Sequence, residues 1–199
     1  LKIVRTDKEL HTPMIDAKIK EAGHQLVLLP DGITEDQLIE ETKDTDLILM
    51  CYTPITRRVI EAAKKLKGIV KYGVGIDAID IPAATAKGIP VVNIPEYAEE
   101  TVAEGAFTML IALAKKLPVI QNQMEKNGWA WPEPKWLGSD IAGKTLGIVG
   151  FGKIGKSIAR MANHGFRARV IALSPHTDDH EMAKFGVTKY NSSSKLLPD

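Results

Sequence analysis

The sequence predicts an α/β protein made of two units, each a parallel sheet covered by helices on both faces. Three observations predict it. Short, continuously apolar runs of strand character alternate with amphipathic helical segments. A long helical pattern divides the alternation into two series. In the second series a glycine-rich turn, "VGFGKIG", lies between an apolar strand and a helix.

In the first series, strands are expected at residues 2–5, 25–29, 47–51, 69–72 and 90–93. The helices between them carry start and stop signals. "HTPMIDAKIKEAG" offers Thr12 as cap, Pro13 at the first helical position and Gly23 as terminator. "TEDQLIEETKD" opens with Thr34 and Gln37, the spacing of a capping box. A third helix starts at Thr56, and a fourth runs from Asp80 through Pro82 to Gly88.

One long helix is expected from about Glu99 to Lys126. The loop "NGWAWPEPKWLGSDIAG" follows, holding Trp129, Trp131 and Trp136, for which packing is the expected role. The second series then places strands at 145–149, 169–173 and 187–190, with helices at 154–163 and 178–185. A complete dinucleotide-binding sheet has about six strands. Only three precede the closing "NSSSKLLPD", and the chain opens without a Met, so the sequence reads as cut short.

Composition narrows the function. With 26 basic and 25 acidic residues among 199, the net charge of +1 gives no footprint for nucleic acid or an anionic membrane. The most apolar stretch, "GAFTMLIALA", is about half of a membrane span. The single cysteine, Cys51, excludes an intrachain disulfide and fits a reducing cytoplasm. His176 and His180 stand four apart among acids, but acids at a helix start answer the helix dipole, so no metal site is expected.

Gly150, Gly152 and Gly155 form G-x-G-x-x-G, the pattern that seats a dinucleotide pyrophosphate. Gly150 permits the tight turn, Gly152 lets the backbone approach the anion, and Gly155 lets helix and strand pack closely. The amides of Lys153 and Ile154 then point at the anion from a helix N-terminus. An acid about 20 residues on grips the ribose hydroxyls in NAD-binding folds. Ser174 stands there instead, with no arginine after it, so NAD and NADP both remain open.

With "KYGVGIDAID", "GIPVVNIPEYAEETVAEGAFTMLIALAKKL" and "IAGKTLGIVGFGKIG" in that order, the whole chain resembles the N-terminal part of the D-isomer-specific 2-hydroxyacid dehydrogenases. The resemblance implies a flavodoxin-like substrate domain over residues 1–97 and an incomplete Rossmann dinucleotide-binding domain over 98–199. It also implies hydride transfer between NAD(P) and a small 2-oxo or 2-hydroxy acid, in a homodimer built largely on the helix starting near Thr101. Val74 and Gly75 would present backbone amides to the substrate carboxylate, Asp77 would cap or brace that turn, and Thr101 would lie near the nicotinamide. The family's catalytic Arg, Glu and His match no position in these residues, so no catalytic residue is assigned. His11, His24, His164, His176 and His180 read as surface or capping residues. The chain as given is therefore expected to be inactive alone. A non-catalytic, nucleotide-sensing dimeric interaction protein on the same fold is the alternative, and a fragment with an exposed sheet edge a third.

Overall fold

A computed structural model of the protein describes residues 1–129, 131 and 133–196. Ala130 and Pro132 of the tryptophan loop and residues 197–199 lie outside the described residues. The chain divides into two compact units, Leu1–Tyr97 and Ala98–Asp199.

The first unit runs β1 (Lys2–Arg5), α1 (Pro13–Glu21), β2 (Gln25–Leu28), α2 (Glu35–Thr42), β3 (Leu47–Met50), α3 (Arg57–Ala62), β4 (Gly68–Lys71), α4 (Ile81–Ala86) and β5 (Val91–Val92). All five strands are parallel in the order β2-β1-β3-β4-β5. That is the flavodoxin-like doubly wound order, whose ligands gather beyond the carboxyl ends of the strands. Val4, Ile48, Met50, Ile55, Ile60 and Ile69 are wholly buried between sheet and helices. β2, at the sheet edge, is only half-buried despite its apolar sequence.

Local chemistry starts most helices as expected. Gln37 N donates to Thr34 Oγ1 at 3.3 Å, and Thr34 N donates back to Gln37 Oε1 at 3.1 Å. Thr56 accepts from Val59 N, and Asp80 from Ala83 N. Thr12 does not cap α1. Its ψ of 56° is not the extended value a side-chain cap needs, and its hydroxyl faces Asp16 at 3.4 Å.

The second unit runs α5 (Glu99–Ala114), α6 (Leu117–Asn127), a 3₁₀ turn (Pro134–Trp136), β6 (Thr145–Val149), α7 (Lys153–Arg160) continued by a π turn (Met161–Gly165), β7 (Arg169–Leu173), α8 (Asp179–Ala183), β8 (Val187–Tyr190) and α9 (Ser193–Leu196). Its three described strands are parallel in the order β6-β7-β8. Phe151, Ala159, Ala162, Val170, Ala172 and Met182 form its core, and α5 joins it through Ala103 and Phe107.

The single long helix expected from Glu99 to Lys126 is two helices. Pro118 has no N–H for the Ala114 carbonyl, and its ring would press on that oxygen. The chain turns at Lys116 with φ 55°, and Ser139 N supplies the missing donor to Ala114 O at 2.7 Å. A Cβ at Gly138 would lie 2.7 Å from Ala114 O, so the returning loop fits against the break only as glycine. Trp129 and Trp131, expected to pack, are 76% and 81% exposed. Among the described residues no helix is long and apolar enough to cross a membrane.

Candidate functional site

The glycine turn is built as its residue types require. Gly150 takes φ 95°, a conformation L side chains resist, and its N–H bonds the Leu173 carbonyl at 2.8 Å. This joins the end of β6 to the end of β7. A Cβ at Gly155 would fall 2.3 Å from the Gly150 carbonyl oxygen, so helix and strand touch there. A Cβ at Gly152 would meet nothing within 4 Å. The turn is thus closed behind Gly155 and open over Gly152. Helix α7 begins at Lys153, and the first amides of a helix have no acceptor within the helix. A helix N-terminus behind an open glycine turn is the arrangement in which backbone amides can bind an anion.

Ser174 is 7% exposed and shares a 3.1 Å hydrogen bond with Thr177 Oγ1. Thr177 in turn donates to the Phe151 carbonyl inside the glycine turn, at 3.5 Å. The hydroxyl at the end of β7 is therefore tied into the turn, a link that sequence spacing did not reveal. Asp178 next to it caps α8 by accepting from Glu181 N at 2.7 Å, which accounts for the acids between His176 and His180.

Thr101 is exposed in the first turn of α5. Glu100 of the same turn accepts from Ser157 Oγ at 2.7 Å and Arg160 at 2.5 Å, both on α7. Glu99 lies 3.9 Å from the Lys153 ammonium. The starts of α5 and α7 therefore lie side by side, bringing Thr101 to the same edge of its unit as the glycine turn.

In the first unit, Val74 and Gly75 lie just past the end of β4, and both are exposed. The turn is held from behind: Asn93 Nδ2 donates to Val74 O at 2.7 Å, and Ile94 N to Gly73 O at 3.0 Å. No described residue accepts from the Val74 or Gly75 amide. Its carbonyls are thus pinned while two successive amides stay unclaimed, and such amides can bind an anion. Asp77, expected to brace it, is exposed and makes no hydrogen bond among the described residues; Asn93 does the bracing. Neither Gly73 nor Gly75 has positive φ, so these glycines are not there for a left-handed turn.

The model of the D-isomer specific 2-hydroxyacid dehydrogenase catalytic domain matches residues 4–192. The chain belongs to the D-isomer specific 2-hydroxyacid dehydrogenase family. It is 35% identical over 197 residues to the D-3-phosphoglycerate dehydrogenase of Methanocaldococcus jannaschii, covering 98% of this chain and 36% of that one. An acyclic imino acid reductase solved with NADPH and D-Arg is 29% identical with a TM-score of 0.81, covering 96% of this chain and 60% of that one. The D-lactate dehydrogenase of Aquifex aeolicus, solved with NAD and lactic acid, is 25% identical with a TM-score of 0.78, covering 95% and 56%. The chain spans 36%, 49% and 44% of the lengths of three curated relatives it matches.

A further cluster of this dehydrogenase-family chain lies at the same strand ends and escaped sequence reasoning. Asp7, at φ 56° and 3% exposed, lies two residues past the end of β1. Its carboxylate accepts from the amides of Cys51, Tyr52 and Thr53 at 2.8, 3.1 and 3.1 Å and from the hydroxyls of Thr6 and Thr53 at 2.6 and 3.0 Å. Burial alone would raise its pKa, but these bonds outweigh burial and hold it below the ordinary value. They also end β3 at Met50, because the Cys51 amide leaves the ladder for Asp7. Tyr72 donates to the Thr6 carbonyl at 2.9 Å, and burial pushes its hydroxyl up to about 12. Of the five histidines, His11, His164, His176 and His180 are exposed and His24 is half-buried.

Proposed function

We propose that the protein is an NAD(P)-dependent oxidoreductase acting on a small 2-oxo or 2-hydroxy acid, with its first unit holding the acid and its second the cofactor. The observation that carries this reading is the glycine turn, closed behind Gly155 and open over Gly152. Gly150, Gly152, Lys153, Ile154 and Gly155 would hold the pyrophosphate on backbone amides and the start of α7. Ser174 would sit under the adenosine ribose, and Thr101 toward the nicotinamide. The cofactor, when bound, supplies or takes the hydride at C2 of the acid. Val74 and Gly75 would fix the carboxylate by donating two hydrogen bonds, and such positioning lowers a bimolecular barrier.

These 199 residues supply the two binding halves, and no residue is assigned to move the proton, so the chain by itself binds without turnover. The apolar side chains of Val102, Met109 and Leu113, 47%, 64% and 72% exposed on α5, support a homodimer through that helix. The buried free thiol of Cys51 fits a cytoplasmic protein.

Titration with NADH and with NADPH, read by nicotinamide fluorescence, tests the reading. Saturable binding of either, abolished by Gly150→Val, supports it; binding of neither overturns it. Hydride transfer to glyoxylate by the same 199-residue sample would overturn the inactive part alone.

A further inference from the structure

Lys71 is a charged residue at the end of a buried parallel strand, and it is 7% exposed. Its ammonium donates to the Cys51 carbonyl, lies 3.8 Å from Cys51 Sγ and stands 5.3 Å from the centre of the Tyr52 ring. No carboxylate pairs with it among the described residues. Asp7, bonded to the amide of the same Cys51, has its carboxylate engaged by five donors. A carbonyl, a sulfur and a ring face leave the ammonium short of a counter-charge, and a cation so far from water calls for an anion.

The place where that anion would sit is set by Gly73. A Cβ there would fall 2.8 Å from Lys71 Cε and 3.4 Å from Nζ. The lysine therefore lies directly against Gly73, one residue before the unclaimed amides of Val74 and Gly75. Gly73, whose φ is not positive, leaves by its missing Cβ the space in which the lysine lies.

We propose that Lys71 is the charged half of the carboxylate site, whose hydrogen-bonding half is Val74 and Gly75. The inference rests on the carboxylate reading of that turn and adds a determinant of ligand class: the site takes a free carboxylate anion and discriminates against neutral amides and esters of the same acid. The Lys71 ammonium attracts the anion to the mouth of the turn, and the two amides orient it.

The test is an NMR titration of the isotope-labelled 199-residue protein with oxalate, following the Val74 and Gly75 amides and the Lys71 ammonium nitrogen. All three resonances are expected to move with one dissociation constant. Lys71→Gln keeps a donor for Cys51 O without charge and should weaken oxalate about tenfold, whereas Lys71→Arg should stay within about threefold. Oxalate binding by Lys71→Gln within twofold of the parent overturns the role of Lys71 and leaves the amide site standing. An unmoved Lys71 ammonium does the same without relying on a variant. If the Val74 and Gly75 amides of the parent do not respond, the carboxylate reading falls as well.

Discussion

Asn93 reaches across from the end of β5 and donates to the Val74 carbonyl at 2.7 Å. The proposed carboxylate turn is thereby fixed by a side chain 19 residues away rather than by its own sequence. Asn93→Ala removes that donor while leaving the Ile94–Gly73 bond in place. Oxalate affinity is expected to fall about three- to tenfold, with a stability loss of about 1 kcal/mol in urea. Unchanged affinity would mean that the turn holds its shape without Asn93.

Gly155 and Gly152 predict different stability costs for the same substitution, with nucleotide binding lost at both. Gly155→Ala drives a Cβ to 2.3 Å from a backbone oxygen and should cost about 1–3 kcal/mol of stability together with nucleotide affinity. Gly152→Ala has open space, so its stability loss should not exceed about 1 kcal/mol, while a methyl group over the cradle blocks the anion. Denaturation curves beside NADH titrations separate the two. A Gly152→Ala protein that binds NADH normally would argue against the cradle.

Asp7 should show in acid. Its folded pKa is depressed, so its contribution is present above the ordinary value of 3.8 and is lost as pH falls through the lower folded value. Asp7→Asn should cost about 3 kcal/mol at neutral pH and flatten the decline of stability below about pH 4. Urea midpoints across that range check both parts, and an unflattened acid slope contradicts the assignment.

Tyr72 should show in base. Its folded pKa is raised from 10.0 to about 12, so its stabilisation is complete below pH 10 and is lost as pH climbs towards 12. Tyr72→Phe removes this component and the bond to Thr6 O. The variant is expected to start less stable, by about 1 kcal/mol, and to lose less between those two pH values. Equal alkaline slopes in the two proteins would contradict the burial of the phenol.

Lys116 holds a left-handed conformation, φ 55°, at the break between α5 and α6. Lys116→Gly relieves a strain that non-glycine residues bear there and should raise stability by about 1 kcal/mol, despite losing the Nζ bond to Lys135 O. A lowered melting temperature would mean that the bond to Lys135 outweighs the strain.

Features that arise from neighbours in the chain were legible in the sequence. The apolar runs at 2–5, 145–149, 169–173 and 187–190 coincide with strands, and Thr34 with Gln37 forms the capping box. Other strands end a residue or more from their expected limits; β3 stops at Met50 because Asp7 claims the amide of Cys51. Asp7 itself gave no local signal: its acceptor role depends on residues 44 to 46 positions away. The helix break did have a signal, Pro118, which the apolar run around it obscured. Lys71 had one too, a lysine inside the buried run "GIVKY".

The bond from Ser174 to Thr177, and from Thr177 to Phe151, has a consequence for any attempt to re-engineer cofactor choice. Position 174 is not an isolated dial. A carboxylate placed there would enter a spot now filled by a buried hydroxyl and would pull on the very loop proposed to cradle the phosphates. On the proposed reading, preference for one dinucleotide and strength of grip on both would be mechanically geared, so a productive swap would redesign 174 and 177 as a pair.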